Sequence, residues 1–227
     1  METASSRQIK WHLDILPRRT KKALNLLAEH PWLKHSDWYL AGGTALALQT
    51  GHRSSVDLDF FTPKDNFNNR ILLRHFKNHN WSTTIVKQGA IYGELEGAKI
   101  SFIAYPFFIS KLPFVYYGSV RLLDPMDIAV MKIVAISQRG RKRDFFDLYW
   151  CANNIAPLKK IILKLNAQYP SVAHDYYHIL KSLVYFADAE NDVIPKINFN
   201  ATWLQVKKFF TTEIPKITKE IINLEND

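Results

Sequence analysis

Ala41-Gly42-Gly43-Thr44, followed by Asp57-Leu58-Asp59-Phe60, is the stretch that decides the predicted fold. Thirteen residues separate Gly43 from Asp57. The sequence predicts that the two glycines open a helix and that the two aspartates lie on a strand. Because alternate residues of a strand point to the same face, Asp57 and Asp59 are expected to stand side by side between apolar neighbours.

This pairing of glycines and carboxylates has a chemical interpretation. Two adjacent carboxylates repel each other, and a divalent cation such as Mg²⁺ relieves the repulsion. Glycines allow the backbone to approach a phosphate, and a helix N-terminus presents free N–H groups to it. Taken alone, the glycines also fit a tight turn and the aspartates also fit a solvated strand face. Their joint occurrence predicts a site for a metal–triphosphate.

The pattern on either side of this stretch predicts a chain in two parts. Hydrophobic periodicity and turn residues in the first part predict helix within 7–30, strand at 38–41, helix at 44–49, strand at 56–61, helix at 70–77, and strands at 82–87, 90–95, 99–105 and 120–123. The second part reads as helices at 125–138, from about Asp144, and over 157–168, 171–187 and 201–223. The predicted fold class is α/β (α+β): a mixed sheet with flanking helices over 1–123, then a helical domain over 124–227.

Composition narrows the functional classes. The chain has 227 residues, of which 47% are hydrophobic, and no apolar run is long enough to span a membrane. The polar segment Met1–Ser6 predicts no signal peptide, and Cys151 is the only cysteine, so no internal disulfide can form. A cytoplasmic location is therefore expected. The formal net charge of +9 favours polyanionic partners such as nucleotides or nucleic acid.

Two segments of the chain carry a family resemblance. The strings 39–48 and 53–61 resemble the AbiEii/AbiGii abortive-infection toxin branch of the DNA polymerase β-like nucleotidyltransferase superfamily. A second block between Asp127 and Leu148 is similar to the same branch, so that the resemblance covers about residues 38–150. It implies a nucleotidyltransferase-type sheet and Mg²⁺-dependent transfer of a nucleotide from an NTP to an RNA acceptor such as tRNA. It also implies a cognate antitoxin as protein partner.

The resemblance further implies roles for particular residues. Asp57 and Asp59 would bind Mg²⁺ and act in catalysis. Gly43 and Thr44 would hold the nucleotide phosphates, and Lys132 falls where this branch has a functional lysine. Position before the acidic strand adds Arg53 and Ser54, and the shared helix face adds Arg139. The predicted nucleotide-binding residues are Gly42, Gly43, Thr44, Arg53, Ser54, Lys132 and Arg139.

Helix geometry supports part of this assignment. Lys132 and Arg139 lie seven residues apart, so they share one helix face and could reach a bound triphosphate. The alternative is a pair of surface cations. The resemblance implies that Lys132 and Asp144 are catalytic, but Asp144 also fits a helix N-cap with Asp147 at the third helical position. The basic run 139–143 fits either a solvated loop or a contact with substrate phosphates, and Arg143 could instead pair with Asp147 one turn later.

One feature departs from the superfamily. Many active members carry a third carboxylate on a neighbouring strand, and the matching segment here offers Ser101 instead. Glu94 and Glu96 lie nearby in sequence, and Asp144 is a further candidate for the general base. The departure keeps two alternatives open: a non-catalytic nucleotide- or RNA-binding module on the same scaffold, and an interaction protein held by an antitoxin.

The aromatic residues within 105–108 and 114–117 could stack a base, but core packing is favoured.

Overall fold

The computed structural model describes residues 9–172 and 175–225. Seven strands form one mixed sheet in the order β3-β4-β5-β2-β1-β7-β6. The two central pairs differ in direction, since β1 is antiparallel to β2 whereas β2 is parallel to β5. The strands are β1 Tyr39–Ala41, β2 Leu58–Thr62, β3 Trp81–Lys87, β4 Ala90–Leu95, β5 Ala98–Ala104, β6 Val115–Tyr117 and β7 Val120–Leu122.

Eleven α-helices are assigned in the described parts of the chain, and most of them follow the sheet in sequence. They are α1 Arg18–Glu29, α2 Pro31–Lys34, α3 Gly42–Thr50, α4 Asn69–Arg74, α5 Pro125–Arg139, α6 Lys142–Asn154, α7 Leu158–Ile162, α8 Leu165–Gln168, α9 Tyr176–Ser182, α10 Ala187–Glu190 and α11 Trp203–Glu225. A short 3-10 helix, Leu13–Ile15, precedes α1. No described helix has the length and apolar character needed to cross a membrane.

The register of the central strands brings polar residues into one row. Asp59 of β2 lies opposite Ala41 of β1 on one side and opposite Ser101 of β5 on the other. Ser101 in turn lies opposite Tyr92 of β4. Phe60, in the alternating position of β2, is fully buried on the opposite face. The pleat of the sheet thus separates a core face from the face that carries Asp59.

A single hydrophobic core connects the two parts of the chain. Its buried residues run from Ile15 to Ile221 without a break at residue 124. Helix α5 packs against α3, α6, α7 and α9. Since Met131 and Lys132 of α5 line the same space as Asp59, this helix lies over the sheet face that carries the aspartate.

Several predicted element bounds are wrong, and the reasons are local. Strand β2 begins at Leu58, so Asp57 directly precedes it. Helix α6 begins at Lys142 with Arg141 at its N-cap, which places Asp144 inside the first turn and overturns the predicted Asp144 cap. The predicted helices 157–168 and 171–187 are broken into shorter ones, and strand β6 was not predicted. The structure does not describe residues 1–8, 173–174 and 226–227. The prediction for Met1–Ser6 therefore lies outside the described residues, as do the parts of the predicted helices that fall on 7–8 and 173–174.

Candidate active site

A cavity of about 370 Å³ lies between the sheet, the start of α3 and helix α5. We call it the α3–α5 cavity. Its lining combines a glycine turn, acidic and basic side chains, and an apolar end. The lining residues are Gly42, Gly43, Thr44, Arg53, Ser55, Asp57, Asp59, Phe61, Tyr92, Ile103, Tyr105, Ile128, Met131, Lys132, Ala135, Gln138, Arg139 and Arg143.

The glycine turn follows from the backbone. Strand β1 ends at Ala41 and α3 begins at Gly42, whose φ of 71° lies in the left-handed region that favours glycine. A Cβ added to Gly43 would collide with the Arg53 guanidinium. Both glycines are therefore needed where the helix N-terminus faces the cavity, and this terminus presents free backbone N–H groups to an anion.

Thr44 fixes the segment that leads into β2. Its hydroxyl donates a hydrogen bond to the backbone carbonyl of Asp57 and shares a second hydrogen bond with Ser55 Oγ at 2.8 Å. Thr44 is buried. Its side chain therefore holds the glycine turn and the acidic segment at a fixed separation.

Asp57 and Asp59 both face the cavity. The Ser101 hydroxyl donates a hydrogen bond of 2.6 Å to Asp59 Oδ1, and the nearest cation to Asp57 is Arg143, with Nη1 3.8 Å from Oδ2. Burial raises the pKa of Asp59 despite the Ser101 hydrogen bond, and the charge of Asp57 raises it further. The structure thus contains two carboxylates whose mutual repulsion is only weakly offset by a neighbouring cation.

This pair of carboxylates fits Mg²⁺. The described residues contain no cluster of three or more acidic, histidine or cysteine side chains that would hold a metal. Mg²⁺ is commonly bound through one or two carboxylates, with water and substrate phosphates completing its six oxygen ligands. Asp57 and Asp59, with open space beside them for a triphosphate, match that donor set.

A buried charge network lies behind the cavity. Asp147 Oδ1 accepts hydrogen bonds from Arg53 Nε at 2.5 Å and from His52 Nε2 at 2.8 Å. Asp147 Oδ2 accepts from Arg53 Nη2 at 2.9 Å, and Lys132 Nζ lies 2.7 Å from it. Burial alone would raise the pKa of Asp147, but Arg53 and Lys132 more than offset it and hold the pKa well below its usual range. Asp147 is therefore charged and fixes Arg53 at the cavity wall.

Lys132 joins this network to Asp144. Its Nζ donates a hydrogen bond of 2.6 Å to Asp144 Oδ1. Burial lowers the pKa of Lys132, but Asp144 and Asp147 outweigh burial, so the pKa is raised and the ammonium keeps its charge. Asp144 Oδ2 accepts no hydrogen bond from the described residues, although Arg139 Nη2 lies 3.3 Å away. The half-exposed Arg139 side chain is thus only loosely held.

The structure brings most of the predicted site residues to one cavity. Two predicted residues do not line it. Ser54 is absent from the lining, and its backbone N–H donates to the carbonyl of Lys196 in the C-terminal part of the chain. Asp144 is buried behind Lys132, so it contacts that lysine rather than the cavity. The predicted members that do line the cavity are Gly42, Gly43, Thr44, Arg53, Asp57, Asp59, Lys132 and Arg139.

Other cavity residues lie outside the predicted site set. Ser55 takes the place expected for Ser54, and Arg143, a member of the basic run 139–143, approaches Asp57 rather than the alternative partner Asp147. Phe61 lies two residues after Asp59 on β2, so strand alternation alone would have placed it on the same face. Core packing was favoured for the aromatic run at 105–108. Phe108 is buried in the core, as that interpretation predicts, whereas Tyr105 lines the cavity.

The cavity is therefore polar at one end and apolar at the other. The glycine turn, the aspartates and the cations form the polar end. The apolar end has the residues Phe61, Ile103, Tyr105, Ile128 and Met131. This division suits a nucleotide, whose phosphates are anionic and whose base is flat and largely apolar on its faces.

Sequence comparison connects this site to a known family. The family described as nucleotidyl transferase AbiEii toxin, type IV toxin–antitoxin system, matches residues 33–88 and 99–216. The chain belongs to the AbiEii family. The matched residues include the glycine turn, both aspartates and the Lys132–Asp144–Asp147 network.

Individual relatives agree with this membership. An uncharacterized protein of Aquifex aeolicus (strain VF5), aq_aa25, is 35% identical over 188 residues, which is 79% of this chain and 87% of the relative. JHP933 from Helicobacter pylori has a similar fold, with a TM-score of 0.51, 18% identity, and coverage of 93% of this chain and 98% of its own. MenT4 (Rv2826c), a nucleotidyltransferase toxin from Mycobacterium tuberculosis H37Rv, has a TM-score of 0.51 at 15% identity, covering 86% and 84%. At such identities these two structures establish the shared fold alone.

Proposed function

We propose that this AbiEii-family protein transfers a nucleotide from an NTP to an RNA acceptor such as tRNA, with Mg²⁺ as cofactor. The observation that carries the proposal is the placement of Asp57 and Asp59 in one cavity with the Gly42–Gly43 turn. We place the activity in the cytoplasm, where NTPs and tRNA are available, and propose a cognate antitoxin as the partner that restrains it.

The chain's own residues have separable tasks in this reaction. The N-terminus of α3 would bind the terminal phosphates through backbone N–H groups, and Arg53 would add a charged donor held rigid by Asp147. Lys132 would face the phosphates from α5, with Asp144 as the residue that positions it. Because these groups are ordered before substrate binds, they stabilise developing charge without reorganisation.

Asp57 and Asp59 would hold Mg²⁺. The bound ion would supply charge neutralisation on the triphosphate and orient its oxygens. Two further cations that line the cavity, Arg139 and Arg143, are partly exposed and would reach the leaving pyrophosphate from the solvent side. In nucleotidyl transfer, positioning and electrostatics of this kind supply most of the rate.

The test is a labelling reaction. Wild-type protein, each of the four α-³²P-labelled NTPs, MgCl₂ and total tRNA are incubated, and the RNA is separated on a denaturing gel. The wild type should label RNA with at least one NTP, and Asp57→Ala should reduce the rate by at least about 100-fold. Asp37→Ala, which changes an exposed aspartate paired with Lys64, is the matched control and should leave labelling unchanged.

A second function remains a candidate because Ser101 occupies the strand position next to Asp59. On that basis the protein would be a nucleotide- or RNA-binding module without turnover. It predicts NTP binding in calorimetry with no labelled RNA and no release of pyrophosphate. Equal labelling by the wild type and Asp57→Ala would contradict the proposed role of the acidic pair.

A further inference from the structure

A second cavity meets the first at the two aspartates. It has a volume of about 380 Å³ and lies over the outer strands of the sheet. We call it the β4–β5 cavity. It shares Asp57, Asp59 and Tyr92 with the α3–α5 cavity and adds Thr84, Glu94, Lys99 and Ser101 among its own lining residues. The acidic pair therefore lies at the junction of two spaces.

Strand register fixes where the charged residues of this cavity lie. Glu94 of β4 is directly opposite Lys99 of β5. Since Leu58 pairs with Ile100, Asp57 lies level with Lys99 on the next strand. Glu94 and Asp57 are thus in one row, two strand spacings or roughly 10 Å apart at the backbone. That separation leaves room for a substrate group between the two side chains.

Glu94 is a carboxylate with no assigned task. It is exposed and lines the β4–β5 cavity, and its carboxylate has no side-chain hydrogen bond or ion pair among the residues that the structure describes. The other candidate bases are occupied, because Asp144 is buried against Lys132 and Glu96 pairs with Lys22. Among the described residues that line the two cavities, Glu94 is the only acid besides the Asp57/Asp59 pair.

The direction of the reaction determines which cavity receives which substrate. In phosphoryl transfer the attacking and leaving oxygens lie roughly in line on opposite sides of the phosphorus. The N-terminus of α3, proposed to bind the leaving pyrophosphate, follows β1 on one side of β2. Strands β5 and β4 lie on the other side of β2. An attacking hydroxyl should therefore enter from the β4–β5 cavity.

We propose that the β4–β5 cavity binds the 3′-terminal nucleotide of the RNA acceptor, with Lys99 contacting its phosphate and Glu94 acting as general base. This inference rests on the proposed function. In the transfer step the acceptor hydroxyl oxygen forms a bond to the α-phosphorus while the bond from that phosphorus to the bridging oxygen of pyrophosphate breaks. Pyrophosphate leaves with the electron pair, and the hydroxyl proton passes to the Glu94 carboxylate and then to water.

Charge favours a nucleic acid over a protein as the acceptor. Lys99 is exposed and lines the cavity, in the row that also contains Asp57. The whole chain carries a formal charge of +9. This positive charge attracts a polyanion such as RNA, whereas it adds no binding free energy for a neutral peptide.

The experiment uses the full-length chain and three variants: Glu94→Gln, Lys99→Ala and the matched control Glu96→Gln on the neighbouring turn. NTP affinity is measured by calorimetry, binding of fluorescein-labelled total tRNA by anisotropy without NTP, and transfer by the labelling reaction. Lys99→Ala should weaken tRNA binding several-fold and reduce the salt slope by about one. Glu94→Gln should lower the kcat of transfer by at least about 100-fold with NTP affinity unchanged. Glu96→Gln should match the wild type.

The outcomes separate this inference from the proposed function. If wild-type protein labels tRNA and Glu94→Gln is as active as Glu96→Gln, the general base assignment is overturned while the transferase activity stands. Unchanged tRNA affinity in Lys99→Ala overturns the acceptor site even in a preparation with no transfer activity. Labelling of a protein instead of tRNA overturns the RNA acceptor.

Discussion

At the scale of single residues, the surroundings of Asp59 disfavour its ionised form. Burial and the neighbouring Asp57 raise its pKa, so the folded protein pays in stability to keep this group ionised at neutral pH. The Ser101 hydroxyl offsets part of that cost by donating a hydrogen bond to Oδ1. Such residues are common where a site is built for a cation that is bound only during function.

Replacing Asp59 should therefore stabilise the metal-free protein. Asn keeps an oxygen that accepts from Ser101 and removes the charge, so Asp59→Asn should raise the free energy of unfolding by about 1 kcal/mol at pH 7 in EDTA. Urea denaturation measures this. Added MgCl₂ should stabilise the wild type but not the variant, because only the wild type would bind the ion. Asp37→Asn is the control, and a lower stability of Asp59→Asn than of this control would contradict the prediction.

His52 should make the stability of the folded protein fall at acidic pH. Burial lowers its pKa below 6.5, even though its hydrogen bond to Asp147 acts the other way. Between that lower value and pH 6.5 the unfolded state binds more protons than the folded state, so stability falls as the pH drops below about 6.5. His52→Gln should remove part of this loss, and the remaining slope should include His30 and His75, whose pKa values are also lowered. Thermal melts from pH 5 to 8 test this, and identical slopes for variant and wild type would contradict it.

At the level of elements, the β1–α3 turn and the loop before β2 depend on each other. Gly43 leaves just enough space for the guanidinium of Arg53, and Asp147 on α6 holds that guanidinium with two hydrogen bonds. A third contact also holds Arg53 in place, because its backbone forms an antiparallel bridge with Ile197 in the segment before α11. Three elements distant in sequence thus fix one cation of the cavity.

Gly43→Ala tests this arrangement. The added methyl group would displace the Arg53 guanidinium, which is buried and cannot move without breaking its bonds to Asp147. We expect a loss of about 1–3 kcal/mol in stability together with at least tenfold weaker NTP binding. The same substitution made in an Arg53→Ala background should cost less, because the clashing group is absent. An equal cost in both backgrounds would mean that Arg53 does not limit the space at Gly43.

At the scale of the whole molecule, the predicted boundary at residue 124 divides a continuous core. Buried side chains of α5, such as Ile128 and Ile133, belong to the same hydrophobic cluster as Leu46 of α3 and Phe60 of β2. Neither part can bury these surfaces alone. We therefore propose that the α/β part and the helical part form one folding unit with the active site at their junction.

This unit should unfold in a single transition. Calorimetry of the full-length chain should give equal calorimetric and van't Hoff enthalpies. Residues 1–123 expressed alone should lack a cooperative transition, because the sheet face that α5 covers would be exposed. Two resolved transitions in the full chain would instead support the two predicted domains as independent units.

The sequence by itself determined the features that depend on neighbouring residues. The pleat of a strand places Asp59 and Phe61 on one face, the glycines mark the start of α3, and Asp124-Pro125 marks the start of α5, where the Asp124 side chain accepts from Met126 N–H. These are short-range consequences of backbone geometry, and together with the family resemblance they were enough to predict the fold class and the acidic pair.

Only the tertiary structure decided the partners of the buried charges. Asp147 meets Arg53 across 94 residues of sequence, and Ser101 meets Asp59 across 42. Local patterning offered Asp144 as a helix cap and Arg143 as the partner of Asp147, since each satisfied a rule of its own helix. The folded protein instead places both side chains against other elements. The reason is that a buried charge must find an opposite charge or a hydrogen bond, and which groups lie within reach depends on how helices and strands pack together.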